Sequence, residues 1–206
     1  MNRRFKKPGT HVDHSQRPNL IKHQPNARIW RADITYLELR PGTWVYLSSI
    51  YEPKVHQVLA FKIGRQMEAT LVVEIINQAL ECHQKPQYFH SDMGSQYTSN
   101  EVETLLERHQ ISHSYSKQGY PYDNGPIEAF HSLLKREFAF QTTFLNFIQL
   151  YMSYRHVLNQ CNDVFTDHKN SSAKLWLTGI NTADTLLRYL SKQHDSYILN
   201  CQSRKA

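Results

Sequence analysis

From residue 29 the chain alternates apolar and polar positions, first in IWRADITYLEL and then, after RPG, in TWVYLSSIY and HQVLAFKIG. Period-two alternation rich in β-branched and aromatic side chains predicts three consecutive strands, antiparallel neighbours of one another. The period then changes. In MEATLVVEIINQALECH, Leu71, Ile75 and Leu80 with Val72, Val73 and Ile76 form a broad apolar face at helical spacing, which predicts a helix over 67–82. PQYFHSD reads as a short fourth strand, SNEVETLLERH as a second helix capped by Ser99 or Asn100, and ISHSYS as a fifth strand. After the loop KQGYPYDNG comes PIEAFHSLLKREFAF, with Pro126 suited to the first helical position and Asn124 or Gly125 to the cap. Ile127, Phe130, Leu134 and Phe138 make its buried stripe, while Glu128, His131, Ser132 and Lys135 share another face. FLNFIQLYMSYRHVLNQ continues in helical pattern, and ADTLLRYLSK predicts a further short helix. Three strands followed by strands separated by helices imply an α/β domain with a mixed sheet.

Length and charge refine this picture. A chain of 206 residues suits one main domain plus extensions. No stretch approaches the roughly 18 uninterrupted apolar residues of a membrane span, and the start lacks the apolar segment of a secretory signal. A soluble, intracellular protein is the expectation. Cys82, Cys161 and Cys201 are scattered and lack a Cys-x-x-Cys pair, so reduced thiols are expected. Seven basic side chains against one acid in residues 1–30 account for the whole net charge of +6. With Pro8, Pro18 and Pro25 and no regular period, residues 1–25 read as a basic arm whose Arg3, Arg4, Lys6 and Lys7 suit a phosphate backbone; a plain solvated terminus would look the same. His11 and His14 have the spacing of zinc ligands, but no cysteine pair follows.

Three acids stand out by location: Asp33 inside the first strand, Asp92 at the end of the fourth, and Glu128 in the first turn of a helix. Singly, each has a structural explanation. Asp33 could face solvent, Asp92 could make an Asx-turn ahead of Gly94, and Glu128 could favour the positive end of the helix dipole. Glu128 lacks a capping box, because the residue three before it is Gly125. Together they suggest a different chemistry: converging carboxylates are the oxygen ligands hard divalent cations need, and two such ions activate attacking and leaving oxygens in phosphoryl transfer.

Asp33 and Asp92 have 58 residues between them, and Asp92 and Glu128 have 35. The blocks WRADITYL, HSDMGSQYTS and DNGPIEAFHSLLKRE that surround them resemble the three signature blocks of retroviral-integrase-like DDE transposases of bacterial insertion sequences, over about residues 26 to 145. That resemblance implies a ribonuclease-H-like fold, a five-stranded mixed sheet flanked by helices. It implies metal-dependent DNA strand cleavage and strand transfer, with Mg²⁺ or Mn²⁺, two ions, held by Asp33, Asp92 and Glu128. It also implies double-stranded DNA as partner, both element ends and target, a homo-oligomer on DNA, no membrane, and a place in the bacterial cytoplasm with the nucleoid. His90, Ser91, Gly94, Gln96 and Tyr97 match the family's second block and Asn124 its third. By the same carry-over, Gly94 permits a tight turn, Gln96 and Tyr97 contact DNA or support the acids, Asn124 caps the catalytic helix, and Lys135 contacts phosphate. The loop from Ser116 to Gly125 is expected to order on DNA.

The expected domains are the arm at 1–25, a catalytic core at 26–160 and a divergent extension at 161–206. Two departures from the family accompany the match. The core is expected to begin near residue 26 with the basic arm ahead of it, where such transposases usually carry a helix-turn-helix, and YRHVLNQCNDVFTDHKNSSAKLW keeps only fragments of the family's later segment. They leave a second reading, a degenerate or truncated transposase that binds DNA or an intact transposase without catalysis. A third, a ribonuclease-H-like nuclease acting on hybrids or junctions, shares the metal site. A serine hydrolase built on Ser91 has no Gly-x-Ser-x-Gly elbow to support it.

Overall fold

The computed structural model describes residues 17–117, 120–137, 144 and 146–166. Its five strands are β1 (Ile29–Arg40), β2 (Thr43–Glu52), β3 (Gln57–Gly64), β4 (Tyr88–Ser91) and β5 (Ser112–Tyr115). They form one sheet in the order β3-β2-β1-β4-β5. The first three strands pair antiparallel, as their short connections require, and β4 and β5 add parallel to β1 after helical crossovers. This is the expected ribonuclease-H-like mixed sheet.

The helices are α1 (Ala69–Cys82), α2 (Asn100–Arg108), α3 (Gly125–Glu137) and α4 (Phe147–Thr166). The alternation in β1 and β2 sends apolar side chains to both faces, so each face is covered. Trp30, Ala32, Ile50 and Phe89 pack with Val72, Ile75, Ile76 and Ala79 of α1 and Val102, Leu105 and Leu106 of α2. Leu37, Val45 and Leu47 pack on the other face with Ile127, Phe130 and Leu134 of α3 and Leu150, Tyr154 and Val157 of α4. Ser99 caps α2, its side chain accepting from the Val102 N–H.

Elements differ from expectation mainly at their ends. α1 starts at Ala69, after Glu68 in extended backbone at the N-cap, and β4 is four residues long. α3 starts at Gly125, directly after a 3-10 turn over Pro121–Asn124. α4 runs on to Thr166, across residue 160. The end of the basic arm is docked on the sheet: the Tyr115 N–H donates to Pro18 O, the Leu20 N–H donates to Ser114 Oγ, and Arg17 lies over the Tyr115 ring. This covers part of the β5 edge. Cys82 is disulfide-bonded. Free thiols were expected there, but spacing along the chain does not report approach in space. The predicted helix at ADTLLRYLSK, Phe138, the histidines at 11 and 14, and Arg3, Arg4, Lys6 and Lys7 lie outside the described residues. Among those described, no helix is long and apolar enough to cross a membrane.

Candidate active site

Strand register brings the two aspartates together. β1 and β4 pair in parallel with Arg31 opposite His90. Counting two residues on along each strand puts Asp33 and Asp92 at the same level on neighbouring strands, where the short β4 ends and β1 continues. The third acid arrives on α3, whose start is tied to β1. Asn124 is buried, and its side-chain amide donates to Ala32 O at 3.0 Å, one residue before Asp33. The Arg31 guanidinium reaches Asp123 O, and the Lys117 N–H donates to Asp123 Oδ2. Asn124 therefore does not cap α3; it pins the helix to the strand that carries Asp33.

The three carboxyl groups act on one another electrostatically. Burial pushes the Asp92 carboxyl up; the Gly94 N–H opposes this, and the charge of Asp33 adds to it. Asp92 itself remains exposed to solvent. Burial raises the Glu128 carboxyl as well, followed by the charges of Asp33 and Asp92, with His131 opposing. Lys135 of α3 also senses Asp33: burial lowers its ammonium, Asp33 raises it, and its Nζ stands 4.1 Å over the Tyr36 ring. Among the described residues no three His, Cys, Asp or Glu side chains are drawn in tightly enough to enclose an ion. What the site offers is hard oxygen donors at one level of the sheet, with mutual repulsion that a divalent cation would relieve. The donor set suits Mg²⁺ or Mn²⁺.

The turn after β4 shapes Asp92. The Gly94 N–H donates to Asp92 Oδ1 at 2.9 Å, the Asx-type bond anticipated from the sequence. Gly94 does not need a left-handed backbone; among the described residues Gly42 is the glycine with positive φ. It is required by closeness, because a Cβ there would stand 3.0 Å from Asp92 Oδ1 and 3.1 Å from Gln96 Oε1. The Gln96 amide donates to Met67 O, tying this turn to the start of the helical crossover. Tyr97 is corrected as a DNA contact. It is 2% exposed, its ring packs beside Phe89, and burial followed by the charges of Asp33 and Asp92 pushes its phenol far up. Its hydroxyl and that of Ser48 lie near one another without completing a hydrogen bond.

His90 and Ser91 belong to polar networks inside the sheet. His90 is fully buried between Ser114 Oγ (2.9 Å) and Ser116 Oγ (3.1 Å), and burial, helped by Arg31, lowers its pKa to about 3. Ser91 Oγ meets His113 Nε2 at 2.9 Å, and His113 Nδ1 meets Glu103 Oε1 at 3.2 Å. The serine, histidine and glutamate order imitates a hydrolase triad, but Ser91 is fully buried, so no substrate carbonyl reaches it.

Two neighbours of Asp33 went unassigned in the sequence. His131 Nδ1 stands 3.1 Å from Asp33 Oδ2, and His131 Nε2 stands 2.7 Å from Ser49 Oγ. The sequence places His131 on the Glu128 face of its helix, which is the available signal; Ser49 lies 82 residues away and carries none.

Residues 22–121 match the model of the integrase core domain family. Similar curated proteins include the transposase for insertion sequence element IS904 of Lactococcus lactis, 34% identical over 128 residues (59% of this chain, 50% of that protein). A transposase InsF of Escherichia coli insertion sequence IS3A is 34% identical over 115 residues, 55% of this chain and 39% of its own. An uncharacterized 31 kDa protein of insertion element IS600 from Shigella sonnei is 32% identical over 127 residues, 58% and 46%. The chain spans about half the length, or less, of these relatives. A chain of the simian T-cell lymphotropic virus intasome, solved with a PP2A regulatory subunit, shares the fold at a TM-score of 0.50 and 19% identity, covering 82% of this chain and 55% of that one. Over residues 22–121 the chain is similar to the integrase core domain family, and the curated relatives named above are products of bacterial insertion sequences.

Proposed function

We propose that this chain is the catalytic core of an insertion-sequence transposase, a polynucleotidyl transferase that cleaves DNA strands at element ends and joins the freed 3′ hydroxyl to target DNA. The observation that carries the reading is the convergence of three carboxylates from separate parts of the chain. Asp33 and Asp92 share a level on adjacent parallel strands, Glu128 follows on a helix pinned beside Asp33, and Asp33 raises the pKa of both other acids.

Asp33, Asp92 and Glu128 hold the divalent ions in this reading. A bound Mg²⁺ or Mn²⁺ pair supplies a polarised attacking hydroxyl and neutralises charge building on the leaving oxygen. The protein's own part is positioning. In cleavage, a water oxygen attacks phosphorus as the bond to the 3′ oxygen breaks; in transfer, that 3′ hydroxyl attacks a target phosphodiester. No bond to protein forms. Lys135, on the helix of Glu128, meets a phosphate next to the acids, and the half-buried Gln96 lines the turn that carries Asp92. The arm with Arg3, Arg4, Lys6 and Lys7 tracks the backbone of double-stranded DNA ahead of the core at 26–160, with 161–206 as an extension. The active species is a homo-oligomer on DNA in the bacterial cytoplasm.

Labelled duplexes carrying the flanking inverted repeats, incubated with Mg²⁺ or Mn²⁺ and resolved on a denaturing gel, test this. Metal-dependent nicks that vanish with Glu128→Gln are expected. DNA binding without cleavage in either protein sinks the reading in favour of a DNA-binding remnant.

A further inference from the structure

Asp33 and Ser49 are direct partners across the β1–β2 ladder, so their side chains leave the sheet on the same face. His131, one turn beyond Glu128 on α3, inserts between them. The ring is 3% exposed and Ser49 is fully buried. A carboxylate has no hydrogen to give, so Nδ1 carries the hydrogen and donates it to Asp33 Oδ2. A neutral ring protonated at Nδ1 can then only accept at Nε2, and Ser49 Oγ–H donates there at 2.7 Å. Each group fixes the next: the carboxylate sets the tautomer, the tautomer leaves Nε2 as an acceptor, and the Ser49 hydroxyl that donates there holds the ring so that its Nδ1–H aims at Asp33.

We infer that His131 is a positioning residue which, oriented by Ser49, holds the Asp33 carboxylate at the angle its ligand requires. The inference rests on the reading of Asp33 as a cation ligand. The bond engages one lone pair of Oδ2 and leaves Oδ1 for the ion. Ligand-orienting hydrogen bonds of this kind commonly carry a large share of metal affinity. An apolar side chain would fill the same buried space without the cost of burying an imidazole and a hydroxyl beside a carboxylate. Because Glu128 precedes His131 by three residues on one helix, a shift of α3 moves both the third acid and the orientation of the first.

Two readouts on the full chain test this, one independent of metal. Long-range proton–nitrogen NMR of the labelled protein reports the tautomer of His131, which is expected to carry its hydrogen on Nδ1 and to lose that preference in Asp33→Ala, where the acceptor is gone. Manganese titration followed by electron paramagnetic resonance, with duplex DNA present, reports the site. His131→Phe is expected to weaken Mn²⁺ binding roughly 10–100-fold. His131→Asn, whose amide can donate from the Nδ1 position, is expected to recover most of that loss while melting at the same temperature as His131→Phe. If His131→Phe fails to fold, the wild-type tautomer and the Mn²⁺ affinity of Ser49→Ala decide. An Nε2–H ring in the wild type, wild-type Mn²⁺ affinity in His131→Phe, or no recovery in His131→Asn overturns the inference alone. A wild-type protein that takes up no Mn²⁺ overturns the reading of the acids, and this inference with it.

Discussion

Gly94 and Asp92 show how a short turn becomes a device. The Asx-type bond from Gly94 N–H to Asp92 Oδ1 aims the carboxylate, and the missing side chain lets Asp92 and Gln96 close on the glycine. Gly94→Ala must push one of them aside. The expected outcome is a fall in strand cleavage of roughly 100-fold, the scale of a misplacement near 1 Å, with little change in melting temperature. Thermal melts beside gel assays check it, and unaltered cleavage would show that this close approach does not aim Asp92. Asp92→Asn keeps the acceptor for Gly94 but removes a charge that Glu128 senses. Its cleavage is expected to disappear while its melting temperature in metal-free buffer rises, because the acids of the unliganded site repel one another; a drop in that temperature would contradict the repulsion. Part of this was readable in the sequence, which points to Asp92, its turn and its glycine. The reason for the glycine was not, since close approach involves a side chain two residues on. Tyr97 was misread because a loop without period gives no sign of which side chains turn inward.

At the scale of elements, the site depends on how β1, β4 and α3 are fastened. Asn124→Ala removes the bond to Ala32 O and is expected to cost about 1–3 kcal/mol in chemical denaturation, the usual penalty for leaving a buried carbonyl unpaired. Cleavage should fall further than this loss implies, since Glu128 loses its tether; a proportional fall would deny the clamp. A second fastening joins α2 to β5. Burial tends to raise the Glu103 carboxyl, but hydrogen bonds from His113 and Tyr115 prevail and lower it. A carboxyl lowered in the folded state adds stability above its ordinary pKa and loses it as pH falls toward the folded value. The wild type should therefore lose more stability than Glu103→Gln between about pH 5 and pH 3, measured by urea titration at each pH. The periodicity of the strands and helices was legible in the sequence because each element packs one recognisable face or, in β1 and β2, both. Register was not: that Arg31 lies opposite His90, and hence Asp33 level with Asp92, follows from backbone pairing no local pattern encodes.

For the whole molecule, the sheet with a helix layer on each face is a rigid frame, and the charge is concentrated at one end of the chain. Ile75→Ala, fully buried on the face away from α3, is expected to cost about 2–5 kcal/mol and leave cleavage per folded molecule unchanged. Replacing Arg3, Arg4, Lys6 and Lys7 by Ala is expected to flatten the salt dependence of DNA affinity, by roughly 0.9 in the log–log slope for each phosphate no longer neutralised. The central claim, that three carboxylates of this chain join DNA strands, is tested most directly by strand transfer. A duplex with a free 3′ hydroxyl at the element end is incubated with supercoiled plasmid, Mn²⁺ and the folded chain, and joined product is counted. The account predicts joined product with the wild type and none with Asp33→Asn, Asp92→Asn or Glu128→Gln. Equal product from any of these variants, or none from a wild-type chain bound to both DNAs, would contradict it.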